Sequence, residues 1–458
     1  MFKGGCLVDL IKHKEPDIAA VITDEIIYTY KEIDEKIYQT AQILEKAGIK
    51  RGDRVGFLGK NKLETICIMF ALARLEATSC PISTRMPQGQ KQDYLDKIGA
   101  VFYIDIDTCS IKNITDRSTV FVDTPPLFSL LASSGSTAEP KVVAHSYENF
   151  YYSALGSNLA LGLSRSHRWL MSLPLYHVGG IAIAFRCFLA GATLVFSERP
   201  LLESLRFYKV SHVSLVPTQL YRLLHEPSLT TLDQLEAALI GGASLSEELF
   251  HLARARGIKI FFTYGMTEMS SQITMDQYQP TGSQLTAGLA LPYRQMKIEQ
   301  DGQIYVKGPT LFQGYWAKEN KMSLPLKDGW FATGDIGSLN PQGNLLVIGR
   351  KDNMFISGGE NIHPEMIEHH LNSLPGIIQS FIIPRQDKEF GQRPVAFVQQ
   401  EDSRYTLEEI RDRLEGKVPR FCLPIQVRPL PNLCAIDTKV SRSKLKQYLI
   451  DSSSTDVN

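Results

Sequence analysis

Apolar positions along this chain alternate between two periods. Ile33, Ile37, Ala41 and Leu44 lie three or four apart and mark one face of a helix. Thr29 and Glu32 frame its start as a capping box, and Gly48 supplies a stop. A short apolar run follows at 54–58, then a second helical pattern over 63–75. The same alternation returns at 212–216, 219–224, 238–240, 247–255 and 258–262. Strand and helix signals in this order predict βαβ units and a largely parallel sheet.

From about Gln303 the texture changes. Short alternating runs at 303–307 and 344–348 are separated by DG, GP, NP and QG, which predicts a β-rich module over about 290–350. Beyond Arg350 it changes again: Pro364 opens a helix, 377–384 and 394–398 suit strands, and 406–414 suits another helix. The expected fold class is α/β, with a large N-terminal domain over residues 1–350 and a small α+β C-terminal domain over 352–458. No internal repeat occurs, and the one low-complexity stretch is the polar tail 452–458.

A chain of 458 residues is too long for one ordinary core, which agrees with two or three domains. Hydrophobic residues make up 43% and charged residues 21%, which excludes a largely disordered protein. Basic and acidic residues balance at 49 each, so nothing favours nucleic acid as a partner. The cysteines (6, 67, 80, 109, 187, 422 and 434) form no C-x-x-C pair and are odd in number, as expected of free thiols in a reducing cytoplasm. The start lacks the apolar core of a signal peptide, and no run of about 18 apolar residues suits a membrane span.

The stretch SSGSTAEPK at 133–141 has the parts of a polyphosphate cradle. Ser133, Ser134, Ser136 and Thr137 offer O–H donors, Gly135 lets the backbone turn its N–H groups inward, and Lys141 adds a mobile cation. It is not a Walker loop, since no G-x-x-x-x-G-K-[ST] occurs, and a flexible surface turn is the alternative. Other polar, glycine-bearing stretches fall at the ends of the expected strands: YGMTEMSS (264–271), TGDIG (333–337), GRKDNMFISGGENIHPEMIE (349–368) and DTKVSRSKLK (437–446). Each alone is a weak signal. His177 has no HExxH partner, and His363, His369 and His370 lack the spacing of a typical zinc site.

Together and in this order, the five stretches resemble the adenylate-forming superfamily of acyl-CoA synthetases, peptide-synthetase adenylation domains and luciferases. SLPLYHVGG (172–180), SLVPTQLYRLL (214–224) and DKEFGQRPVA (387–396) are similar to the o-succinylbenzoate–CoA ligases of menaquinone biosynthesis in particular. The resemblance runs from about Tyr28 to Lys446. It implies that a carboxylate attacks the α-phosphate of ATP to give acyl-AMP and pyrophosphate, after which the thiol of CoA displaces AMP. ATP, Mg²⁺ and CoA are the implied cofactors and co-substrates, and 2-succinylbenzoate, an aryl dicarboxylic acid, is the implied substrate. A ligase for another aryl or fatty acid and a non-catalytic relative stay open, as does a homo-oligomer.

The first step needs no general base, because the acid is already ionised near pH 7; it needs charge neutralisation. The resemblance assigns the pyrophosphate end to the 133–141 loop with Lys141, Mg²⁺ to Glu268, and the α-phosphate to Thr267 and Lys439. Tyr264 and Gly265, with the backbone of Gly241, Gly242 and Ala243, would enclose the adenine, while Asp335 would accept from the ribose hydroxyls with Arg350 nearby. For Tyr264 a half-buried core position is the alternative, and for Asp335 a turn-shaping one. His177 is implied to line the acyl pocket and the CoA route, a hydrogen-bonded core histidine being the alternative. The second carboxylate of the substrate needs a cation: Arg186 interrupts an apolar run and Arg222 follows the VPTQ turn. A surface arginine closing a helix is the alternative for Arg186. Gly358 and Gly359 are implied to line the pantetheine channel, and Asp352 to be the hinge of a mobile C-terminal cap. Ala138 and Thr438 stand where relatives often have glycine, which leaves both turns unsettled.

Overall fold

The computed structural model describes residues 16–115, 126–133, 141–243, 245–276, 285–317, 322–400, 405–431, 440 and 442–453. The first described helix, Tyr30–Lys46, begins as its sequence requires. The Thr29 hydroxyl accepts from Glu32 N–H, and the Glu32 carboxylate accepts from Thr29 N–H at 2.7 Å, an arrangement worth about 1 kcal/mol. Ile33, Ile37, Ala41 and Leu44 face inward, and the Tyr30 hydroxyl donates to the carbonyl of Ala192 at 2.8 Å.

Two sheets form the N-terminal body. In the first, six strands run parallel in the order Ala19–Ile22, Thr193–Val195, Arg168–Leu170, His212–Leu215, Ala237–Ile240 and Ile260–Met266. Antiparallel strands close it at both edges, Ile27–Thr29 at one and Ser271–Met275 with Leu289–Ala290 at the other. In the second, Ser129–Ala132, Thr78–Ile82, Arg54–Leu58 and Phe102–Asp105 are parallel neighbours, and Val142–His145 with Gly314–Trp316 extend one side antiparallel. The core between them holds an aromatic cluster. Phe128 and Phe185 lie 5.1 Å apart at their ring centres, and Phe150 stacks on Phe185 at 5.2 Å.

The β-rich module is an antiparallel sheet of Gln295–Ile298, Gln303–Lys307, Trp330–Leu339 and Leu345–Arg350, with Leu326–Lys327 at its edge. The C-terminal part has its own hydrophobic clusters, built on the paired strands Ile377–Asp387 and Gly391–Gln400 and the helices Pro364–Asn372 and Leu407–Leu414. It meets the rest at helix Pro364–Asn372, which packs on strand Leu345–Arg350, and at strand Ile377–Asp387, which touches helix Pro217–Leu224.

Two local expectations change. TGDIG is not a turn at a strand end: it lies inside Trp330–Leu339, because Asp335 and Ile336 pair with Arg350 and Gly349. The strand expected at 258–262 continues to Met266, because Thr263–Met266 pairs with Ser271–Met275 across a bulge at Tyr264/Gly265.

Candidate active site

Strand Ile260–Met266 ends in the single 3₁₀ turn Thr267–Met269, and the chain then reverses through Ser270 and Ser271, both at positive φ (53° and 106°). Gly265 is what lets this hairpin close. A Cβ there would lie 2.1 Å from the carbonyl oxygen of Ser271, and backbone cannot step aside. The neighbouring strand Ala237–Ile240 runs out into Gly241, Gly242 and Ala243. Gly242 has φ +82°, and a Cβ on Gly241 would come within 3.0 Å of Thr263. These features lie at the carboxyl ends of parallel strands, where open α/β sheets collect ligands.

Three polar side chains converge beside them. The Tyr264 hydroxyl donates to Asp335 Oδ2 at 2.6 Å, and Arg350 Nη1 donates to Asp335 Oδ1 at 3.2 Å. The pairing of Asp335 with Arg350 on adjacent strands brings about the second contact. Burial, with the Asp335 charge beside it, pushes the Tyr264 phenol well above its ordinary value, so it stays a donor. Arg350 also donates to the Thr333 carbonyl at 3.2 Å and, through Nη2, to Asp352 at 3.3 Å. Gly334 (φ +76°) leaves room for this guanidinium, which a Cβ would approach to 3.0 Å.

Glu268 is buried, and one carboxylate oxygen accepts from the Tyr315 hydroxyl at 2.8 Å. Lys141 Nζ sits 4.8 Å above the ring of the same tyrosine, so the cation and the carboxylate share one support. Among the described residues no group of three His, Cys, Asp or Glu could hold a metal by itself. One carboxylate is the donor set expected for Mg²⁺ that keeps waters and substrate phosphates as its other ligands. Ser133 N–H donates to the Lys141 carbonyl at 2.8 Å, joining the two ends of the stretch 133–141. Ser134, Gly135, Ser136, Thr137 and Ala138 lie outside the described residues, as do Thr438 and Lys439.

Arg186 is 2% exposed, on helix Val178–Ala190, so it is not a surface residue. Its Nη2 donates to Ser271 Oγ at 3.2 Å, its guanidinium faces the Trp169 ring at 5.4 Å, and its Nε has no hydrogen-bond partner among the described residues. Arg294 is buried nearby, and among the described residues it binds main-chain carbonyls and the Ser153 hydroxyl. Burial pushes Arg186 down to about 10, and burial with Arg186 beside it pushes Arg294 down to about 9. Two interior cations without a carboxylate partner among the described residues make this interior attractive to an anion.

The other expected residues are more dispersed. His177 is the exposed N-cap of the Arg186 helix, its ring 4.5 Å from Tyr176, so it is not a core histidine. Arg222 is exposed on helix Pro217–Leu224. Gly358 and Gly359 have φ +58° and +89°; a Cβ on Gly358 would meet the Phe390 ring at 3.0 Å, whereas Gly359 has open space. Asp352 lies in the short turn Lys351–Asn353 with its side chain 65% exposed. Three residues beside the site lie outside every motif of the sequence: Tyr315, Arg294 and His145. The first two carry no local signal, but a histidine inside the short apolar run VVAH was a readable one.

The sequence profile of the AMP-binding enzymes matches residues 11–128 and 126–316. A 2-succinylbenzoate–CoA ligase of Haemophilus influenzae is 36% identical over 446 residues, covering 94% of this chain and 95% of its own. The o-succinylbenzoate CoA synthetase of Bacillus subtilis in complex with the acyl-adenylate intermediate OSB-AMP superposes with a TM-score of 0.84 at 27% identity, covering 96% of this chain and 97% of its own. The same enzyme in complex with ATP and magnesium ion gives 0.82 at 27% identity, covering 93% and 95%. With the glycine-shaped hairpin, the Tyr264–Asp335–Arg350 cluster and a match over most of its length, the chain belongs to the family of AMP-binding enzymes, and 2-succinylbenzoate–CoA ligases are among the members it resembles.

Proposed function

We propose that this protein is an ATP-dependent acid–CoA ligase that converts 2-succinylbenzoate to 2-succinylbenzoyl-CoA through an acyl-adenylate, as its relatives' names and bound ligands suggest. The observation that carries the choice of a dicarboxylic acid is Arg186, a buried guanidinium with an unused Nε and no acidic partner among the described residues. One carboxylate of the acid is activated, and the other pairs with Arg186. Arg222, exposed on its helix, is the second candidate for that contact.

In adenylation the acid attacks as its carboxylate, so the protein's task is to hold the reactants in line and neutralise charge on the α-phosphoryl oxygens. Asp335 binds the ribose hydroxyls with Arg350 beside it, and Tyr264 closes the adenine side with Gly265 and the backbone of 241–243. Thr267 donates to the α-phosphate, the loop 133–141 with Lys141 holds the pyrophosphate end, and Lys439 reaches the reacting oxygens. Glu268 would hold Mg²⁺, which when bound offsets phosphate charge. His177, exposed at the start of the Arg186 helix, lines the acyl and thiol side. For the thioester step the domain 352–458 turns about Asp352 and presents Gly358 and Gly359 to the pantetheine arm. A cytoplasmic location goes with free thiols at Cys67, Cys80, Cys109, Cys187 and Cys422. Among the described residues no helix is long and apolar enough to cross a membrane.

The test is pyrophosphate release from ATP and Mg²⁺ with a panel of aryl and fatty acids, with and without CoA. Release that requires 2-succinylbenzoate, with CoA consumed one for one, is the expected result. Turnover of a monocarboxylic aryl or fatty acid in its place moves the substrate assignment, and no release with any acid would leave a binding protein.

A further inference from the structure

His145 ends strand Val142–His145 and is fully buried. Its Nε2 lies 2.7 Å from the main-chain carbonyl of Thr267, which also accepts from Ser270 N–H at 3.0 Å. A carbonyl only accepts, so Nε2 carries the proton and the ring is the neutral Nε2–H tautomer. Burial pushes the imidazole down to about 4, which agrees with that form. Nδ1 is buried with no partner among the described residues. The ring otherwise lies beside Phe150, 5.0 Å between centres.

An apolar ring would fill this space without leaving a nitrogen unsatisfied, a defect that costs on the order of 1–3 kcal/mol. What the histidine adds is one directed bond to the first residue of the turn that aims Thr267 and Glu268. Its own main chain is well held. Ala144 O accepts from Gln313 N–H at 2.8 Å, and the next residue, Ser146, caps helix Tyr147–Leu161 by accepting from Asn149 N–H at 3.2 Å. The far side of the turn is held by Phe312 N–H, which donates to the Glu268 carbonyl at 2.8 Å.

We infer that His145 is a positioning residue for adenylation: through the Thr267 carbonyl it sets the direction in which Thr267 and Glu268 meet the α-phosphate and the magnesium ion. It touches neither ligand. The inference rests on the roles proposed above for Thr267 and Glu268, so Glu268→Gln is measured alongside.

The experiment titrates Mg²⁺ against the rate of pyrophosphate release at saturating ATP and acid. His145→Phe keeps a ring and removes the donor. It is expected to raise the Mg²⁺ needed for half-maximal rate about tenfold, leaving the KM for the acid and the capture of supplied acyl-AMP by CoA within about twofold. His145→Gln, whose amide nitrogen reaches about as far as Nε2, is expected to recover most of the loss, and His145→Asn is not. An unchanged Mg²⁺ requirement in His145→Phe overturns the inference, as do matched losses in all three measurements or a Gln variant no better than Asn. If His145→Phe does not fold, the comparison of Gln with Asn decides. If Glu268→Gln itself leaves the Mg²⁺ requirement unchanged, the assignment of Glu268 fails first, and the two failures are told apart.

Discussion

Replacing Arg186 with methionine separates a ligand-facing cation from a structural one, because the two predict opposite changes in stability. Burial lowers Arg186 to about 10, and a shift of that size amounts to roughly 3 kcal/mol of burial cost at neutral pH, where the group is still charged. Against that stand one hydrogen bond to Ser271 and the contact with the Trp169 ring, each worth about 1–2 kcal/mol. Methionine fills similar volume without the charge, so Arg186→Met is expected to melt at or slightly above the wild-type temperature. Binding of the acid is another matter. A carboxylate that loses a buried charged partner loses about 2–5 kcal/mol, and the lower bound alone is near thirtyfold in KM. The assay is steady-state pyrophosphate release at varied acid and fixed saturating ATP, with thermal unfolding in the presence and absence of acid. The wild type is expected to gain melting temperature with the acid and the variant to gain none. A variant that melts several degrees lower with an unchanged KM would show that Arg186 is part of the scaffold and refute the reasoning.

Lys439→Ala is expected to slow adenylate formation by about 10²–10³-fold and to spare thioester formation from supplied acyl-AMP, while Gly358→Leu does the reverse; matched losses in both half-reactions would count against a rotating cap. Tyr264→Phe removes the 2.6 Å donor to Asp335 and is expected to raise the KM for ATP about five- to tenfold with the acid KM unchanged. Burial pushes His145 and His212 down to about 4 and about 3. The unfolded chain therefore takes up protons near pH 6.5 that the folded chain refuses, and stability falls as pH drops from there toward 4. Denaturant unfolding across that range is expected to show a slope in His145→Phe shallower by about 1.4 kcal/mol per pH unit.

Much of the architecture was legible because periodicity and caps are local. The helix at Glu247–Ala255 and the strand at Arg54–Leu58 begin and end where their residues indicate. What was not legible is decided across the chain. Asp335 looked like part of a turn because a TGD sequence usually makes one, and it sits in mid-strand only because Arg350, fifteen residues on, pairs with it. Arg186 could not be told from a surface arginine, because the helix that carries it is apolar nearly all round and only the packing of Trp169 and Ser271 buries its charge. Tyr315 supports Glu268 from 47 residues away, a distance over which no sequence spacing speaks.

Arg350 grips two carboxylates at once, Asp335 in the proposed ribose site and Asp352 in the turn Lys351–Asn353, the proposed hinge. One guanidinium therefore belongs to two equilibria. If the turn at 351–353 moves so that Asp352 lets go, Arg350 is left to Asp335 alone, and the affinity of the ribose for that carboxylate changes by some factor. Thermodynamic reciprocity then requires nucleotide binding to shift the position of the turn by the same factor. A domain that swings after adenylation would in this way register which nucleotide is bound, with no separate sensor, and loss of AMP would reset it.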